Sequence, residues 1–277
     1  MRRLLFICLP IFVLTSLVAG CSSTQKTSQL EGTEGQLVES AVELVEDGYF
    51  LEAIEELEAI EVRFPFGQYN EIVKLNLIYA GVRTEQYPLA INKANTFVKQ
   101  FRQSPNLDYV LYLRGVALYY QDYSVSRRYL TRNDDDQDLS SFKLAYRDFS
   151  SLTSMYPESD YIPDAKARMV DIRNALAKRE QNTASFYLKR GGYVAAIEQA
   201  GKVLNEYPNS PAIAEALAVK VKAYEMLGMT SLQEEYYALL TTNFPNYQNL
   251  DSENKTVDLD TPQEHVDWLS LVTFGLL

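Results

Sequence analysis

The 277-residue sequence predicts an all-α body of about five stacked helix pairs, with an extended helix between the third and fourth pairs. Three observations predict this. One ladder of apolar side chains recurs along the chain at fixed offsets, amphipathic stretches precede its copies, and the copies are evenly spaced except at two places. Hydrophobic residues make up 47% of the chain, enough for a core of this length.

Before the first copy, Met1-Arg2-Arg3 leads into Leu4–Ala19, sixteen residues without a charge, interrupted by Pro10 and Thr15-Ser16. A membrane span needs about 20 apolar residues, so this stretch reads as the hydrophobic region of a signal peptide, residues 1–20. It ends in Leu17-Val18-Ala19-Gly20-Cys21, which resembles a bacterial lipobox. By that resemblance Cys21 is acylated and the signal is cut before it. An ordinary secretory signal with an incidental cysteine is the other reading; the small residues and the polar stretch after Cys21 argue against it. Acyl chains give about 0.8 kcal/mol per buried CH₂, so two or more anchor a protein for good. Ser22, where an Asp would hold a lipoprotein back, points by the same resemblance to the periplasmic leaflet of the outer membrane. Residues 22–36 carry one large apolar side chain, Leu30, and read as a flexible tether spanning about 20 Å.

The first copy of the ladder is Gly48, Phe50, Ala53, Ile54, Leu57, Ile60, Phe64 and Pro65. It recurs as Gly191, Tyr193, Ala196, Ile197, Ala200, Val203, Tyr207 and Pro208, and as Ser140, Phe142, Ala145, Tyr146, Phe149, Leu152, Tyr156 and Pro157. A fourth copy, Tyr87, Ala90, Ile91, Ala94, Phe97 and Phe101, has Arg102 at the proline position. The fifth, Gly228, Tyr237, Leu240, Phe244 and Pro245, has Gln233 in place of the alanine. The glycine ends one helix, the alanine marks where two helices approach, the apolar stripe buries the second helix, and the aromatic–Pro pair ends it. Stretches such as Leu37, Ala41, Leu44 and Val45, or Leu217, Val221 and Tyr224, supply first helices. This is the pattern of a tetratricopeptide superhelix.

The terminal positions Pro65, Arg102, Pro157, Pro208 and Pro245 lie 37, 55, 51 and 37 residues apart. The first surplus, Gln121–Asp138, holds Arg127, Arg128, Arg132 and Asp134-Asp135-Asp136 and reads as a charged loop. The second, Ile162–Arg190 with Pro163 at its start, reads as an extended helix joining two blocks, residues 37–160 and 161–245. Beyond Pro245, residues 246–277 read as a polar loop followed by a short capping helix. That helix starts at Thr261-Pro262-Gln263-Glu264 and carries Val266, Trp268, Leu269, Val272 and Phe274.

Composition narrows the function. The net charge is −11, or −13 without Arg2 and Arg3 of the signal, so the surface repels nucleic-acid phosphates. One histidine, His265, and two cysteines, Cys8 and Cys21, leave no material for a structural metal site, a disulfide framework or a nucleophilic triad. No cofactor is expected. Only carboxylate chemistry remains, in the form of a lytic transglycosylase using Glu39-Ser40 or Glu158-Ser159. Neither context suggests the enclosed site a general acid requires.

Several strings are more specific than the repeat. Arg63-Phe64-Pro65-Phe66-Gly67-Gln68-Tyr69 with Leu75–Ala80, then Pro105-Asn106-Leu107-Asp108-Tyr109-Val110-Leu111-Tyr112-Leu113-Arg114-Gly115, and Leu176-Ala177-Lys178 through Tyr187 and Arg190, resemble the BamD family. These are lipoproteins of the outer-membrane β-barrel assembly machinery, and the resemblance covers about residues 1–245. It implies a non-catalytic periplasmic scaffold. Its N-terminal repeats would recognise unfolded outer-membrane proteins, its C-terminal repeats would dock on a BamA-like barrel-forming partner, and a BamC-like lipoprotein would lie along it. The tail after Pro245 departs from the shorter family members. A substrate-peptide groove is expected from Phe66, Tyr69, Asp108, Tyr109, Tyr112 and Arg114. The aromatic faces would supply contact and Arg114 would take a chain-end carboxylate, unless Asp108 and Arg114 form a structural pair. A pilotin or a cell-wall synthesis coordinator would share the anchor and repeats without these strings.

Overall fold

The computed structural model describes residues 32–129 and 139–261. The signal peptide, Cys21, most of the tether, the acidic run 134–136 and the helix expected after Thr261 lie outside these residues. Ten helices form five antiparallel pairs: α1 Glu34–Glu46 with α2 Phe50–Arg63, α3 Asn70–Arg83 with α4 Tyr87–Gln100, α5 Leu107–Tyr129 with α6 Ser140–Met155, α7 Ile162–Lys189 with α8 Tyr193–Glu206, and α9 Ile213–Met226 with α10 Thr230–Asn243. Each helix also packs on the next in sequence. Neighbouring first helices touch as well (α1 with α3, α3 with α5, α7 with α9), and no comparable packing joins second helices of neighbouring pairs among the described residues. The first helices therefore line the inner side of the curve.

The same two turns recur. Within a pair, the chain crosses a left-handed residue at Gly48 (φ 84°), Gly191 (76°) and Gly228 (67°), and its backbone N–H groups close the end of the first helix. Glu85 (φ 59°) takes the same conformation in the second pair, where no glycine marks the turn. In the third pair α6 begins at Ser140, the ladder's glycine position. Between pairs, Phe64, Phe101, Tyr156, Tyr207 and Phe244 each end a second helix. In each turn the N–H three residues on donates to the aromatic residue's carbonyl, at 3.0 Å or 3.1 Å. The second pair makes the same turn with Arg102 in place of the proline, and Phe101 packs half-buried on the core of Ile78, Phe97 and Val110.

Three boundaries differ from the sequence expectation. Helix α1 starts at Glu34, inside the expected tether, because Thr33 and Gln36 form a reciprocal capping box. Helix α5 runs on to Tyr129, so half of the expected charged loop is helical; Gln121–Tyr129 contains no proline or glycine to stop it. The polar segment after Pro245 is not a plain loop. It forms an antiparallel hairpin, β1 Leu250–Asp251 with β2 Thr256–Val257, whose Val257 is fully buried against α9. Gln233, the residue that breaks the fifth ladder, donates to the carbonyls of Asn254 and Lys255 at 3.1 Å each, so its departure from alanine holds the hairpin.

Helix α7 has 28 residues and is about 42 Å long. Ala165, Ile172 and, just past its midpoint, Leu176 are buried in the core of the third pair, and Ala177, Ala184 and Leu188 farther on are buried against α8 and α9. One helix thus serves two consecutive cores, and its first fourteen residues step the last two pairs along its axis by about 21 Å.

Candidate functional site

The first of the five inter-pair turns carries an apolar side chain where the other four carry a polar one. After the aromatic–Pro or Phe101-Arg102 position the others place Gln103, Glu158, Asn209 and Asn246; here stands Phe66, which is 99% exposed. The turn is held from α1. Glu34 lies flat on Gly67, where an added Cβ would come within 1.8 Å of its carboxylate, and it accepts the Tyr69 N–H at 3.3 Å. Any side chain at Gly67 would push Glu34 away and free the turn. Tyr69, half-buried, packs on the first core.

A line of aromatic rings runs along the first helices. On α3, Tyr79 meets Phe50 edge-on at 5.7 Å; Arg83 lies over Phe50 at 4.7 Å and donates to the Tyr79 hydroxyl at 2.6 Å. On α5, Tyr109 and Tyr112 both stack on Tyr161, the residue preceding α7, at 5.0 Å and 4.7 Å. The Tyr112 hydroxyl donates to Asp164 at 2.9 Å, Asp164 accepts from Arg168 at 2.6 Å, and that guanidinium lies 5.2 Å from the rings of Tyr119 and Tyr120. These side chains bridge α5 and α7, whose backbones stay apart. Burial, then the Asp164 hydrogen bond, pushes the Tyr112 hydroxyl up to about 12, and burial next to Tyr161 and Tyr79 raises that of Tyr109. Both rings stay neutral, half-buried contact surfaces across the physiological range. Asp108 stands at the first turn of α5, where its carboxylate favours the helix N-terminus.

Arg114 is a correction. It does not pair with Asp108, and its fork is not open to an incoming carboxylate: Nε and Nη2 donate to the two oxygens of Asp148 at 2.7 Å and 2.8 Å, and Nη1 donates to Asn95 at 2.9 Å. The Asp148 side chain is 3% exposed, so the pair is an internal tie between α4, α5 and α6. Five of the six expected residues thus fall at two places, the Phe66–Tyr69 turn and the Tyr109–Tyr112 ladder with Asp108 beside it, and the sixth supports the wall. Sequence reading missed Tyr161, Asp164 and Arg168; the signal available was Tyr161 standing at the same turn position as Tyr69. Glu39 and Glu158, the acids considered for catalysis, are both exposed.

A family model described as "Outer membrane lipoprotein" (YfiO) matches residues 31–239. Curated relatives named outer membrane protein assembly factor BamD include those of Vibrio cholerae (34% identical over 228 residues, 82% of this chain and 94% of that one), Haemophilus influenzae (32% over 235 residues, 85% and 89%) and Neisseria meningitidis serogroup A (34% over 196 residues, 71% and 73%). A solved tetratricopeptide repeat protein from Parabacteroides merdae overlaps 77% of the chain and 67% of its own at 18% identity, with a TM-score of 0.34. The strings around Phe66, Tyr109 and Arg190, the five helix pairs and the match across residues 31–239 agree: the chain belongs to the YfiO/BamD family of outer-membrane lipoproteins.

Proposed function

We propose that the protein is a non-enzymatic scaffold of outer-membrane protein assembly, held by acylated Cys21 on the periplasmic leaflet of the outer membrane. The assembly role follows from family membership. The pairs over residues 37–160 offer unfolded outer-membrane proteins a groove, with Phe66 as an exposed anchor and Asp108, Tyr109 and Tyr112 on its inner wall. Tyr69 and Arg114 position that wall. The pairs over residues 161–245 dock a BamA-like barrel-forming partner, and a BamC-like lipoprotein lies along the stack. The observation that carries the groove is the aromatic line on the first helices, since rigid rings give a passing extended chain contact area at low entropic cost. No helix among the described residues is long and apolar enough to cross a membrane, which suits anchoring through lipid.

The test is binding of a labelled peptide copying the aromatic-ended last strand of an outer-membrane protein. Phe66→Ala and Tyr109→Ala each weaken binding about tenfold, the loss of one or two kcal/mol typical of an aromatic anchor, while the melting temperature of the Phe66 variant stays unchanged. Unchanged affinity in both variants rules the groove out. Separately, Cys21→Ala moves the protein from the membrane fraction to the soluble periplasm.

A further inference from the structure

The tyrosine stack ends on α7, and the same face of that helix leads on to a second opening. Asp164, which accepts from Tyr112, and Lys178 stand fourteen residues apart, about four helical turns, so both look to one side of α7. At Lys178 a cleft of about 570 Å³ opens between α7 and the start of α9. Hydrogen-bond donors dominate its lining. Lys178, exposed, gives one of its three N–H groups to Gln181 at 2.7 Å. Gln181, 3% exposed, gives one of its two N–H groups to Ser185 at 2.9 Å. Ser210, 8% exposed, accepts from the Ala212 N–H at 3.2 Å and so keeps its own O–H to give. Asn174, half-buried, adds an amide. Glu215, the carboxylate in the lining, stands in the first turn of α9 and already accepts from the Tyr247 hydroxyl at 2.5 Å.

Resting on the groove assigned to the first three pairs, we propose that this α7–α9 cleft takes the free carboxylate end of the same unfolded chain. Lys178 receives the carboxylate, Asn174 and Ser210 donate beside it, and Glu215 accepts the backbone N–H of a preceding residue. Spacing, charge and size select this occupant. From Tyr161 to Lys178 is about 26 Å along α7, which an extended chain covers in about eight residues. A membrane-spanning β-strand has about 9–11 residues, so one last strand reaches from the tyrosine stack to the cleft. The whole chain carries a net charge of −11, yet this opening presents an ammonium with two N–H groups to spare, which attracts an anion. The volume is that of a small-ligand site, with room for a chain end and not for a folded partner. The cleft thus supplies the carboxylate contact that Arg114, closed by Asp148, does not.

The test uses the full chain carrying Cys21→Ala, freed of its anchor, and a labelled peptide copying the last strand of an outer-membrane protein. The peptide is made once with a free terminal carboxylate and once with a terminal amide, and binding is read by fluorescence anisotropy. The acid peptide is expected to bind about tenfold more tightly than the amide. Lys178→Gln removes that preference by weakening the acid peptide alone, and Lys178→Arg keeps it. Lys178 is exposed, so both variants keep the melting temperature of the parent. Equal affinity of the parent for acid and amide overturns the proposal, as does a preference that Lys178→Gln leaves intact. Full displacement of the acid peptide by millimolar inorganic phosphate assigns the cleft to a free anion and overturns it too. The groove is judged separately by Phe66→Ala and Tyr109→Ala. If these weaken both peptides alike and the parent shows no preference, the cleft fails and the groove stands. If they change nothing while Lys178→Gln still abolishes the preference, the groove fails and the chain-end site stands. Binding of neither peptide overturns both.

Discussion

Asp148 is a carboxylate with almost no access to water, and a planar guanidinium meets both of its oxygens. Removing one partner of such a pair strands the other. Arg114→Ala therefore costs about 3 kcal/mol or more in denaturant unfolding, and Arg114→Lys recovers only part because an ammonium cannot bridge both oxygens. A loss of peptide affinity in Arg114→Ala without loss of stability would instead make it a ligand contact. Glu61 shows the same logic with a pH signature. Burial pushes its carboxyl up, but hydrogen bonds and charge from the buried Lys74 of α3 and from Lys93 of α4 more than reverse this and leave it below its ordinary 4.5. A depressed carboxyl contributes stability above its unfolded pKa and loses it as pH falls through the folded one. Unfolding free energy of the native chain thus drops below about pH 4.5; Glu61→Gln is less stable at pH 7 and has a flatter acid limb. Neither pair was legible beforehand, because Arg114 with Asp148 and Lys74 with Glu61 meet across helices and share no local pattern.

At the scale of elements, the second helices were legible almost residue by residue, since their cores repeat: Ala53, Ala90, Ala145, Ala196 and the terminal aromatics all land where the ladder puts them. The double length of α7 was legible from one interval between prolines. What escaped were features set by chemistry outside the ladder. Thr33 caps α1 four residues before the apolar pattern begins, and the hairpin at 250–257 depends on Gln233, which looks like a defect until its partners are seen. The pair turns give a clean test of backbone strain. At Gly228 an added Cβ meets nothing within 4 Å, yet φ is +67°. Gly228→Ala thus costs about 1 kcal/mol through conformation alone. Glu85→Gly, at the equivalent turn, raises stability by a comparable amount, read as a melting temperature a few degrees higher. Equal stability of both variants with the parent would remove the left-handed strain from the account.

At the scale of the whole molecule, charge and shape are unevenly spread. Residues 34–63 hold ten acids and one base, Arg63, so most of the net −11 sits in the first pair, next to the tether. In the lipid-anchored arrangement proposed above, an anionic membrane surface would repel that end within the reach of a Debye length. Helix α7 contributes to the core of the third pair and to that of the fourth, and the proposed scaffold puts the substrate groove before it and the barrel-forming partner after it. The helix-pair architecture was readable in the sequence; the bridge from α5 to α7 through Tyr161, Asp164 and Arg168 was not, because it joins residues about fifty positions apart that share no local pattern. The most direct measurement is recovery of the acylated protein from detergent-solubilised envelopes, followed by identification of what stays bound. A large β-barrel protein with periplasmic repeats, retained by the native chain and by Phe66→Ala but lost when residues 161–245 are altered on the surface, is the predicted result. A stable isolate that lacks any barrel-forming partner, or one retained unchanged by those surface variants, contradicts a scaffold of outer-membrane assembly that docks through its last two pairs.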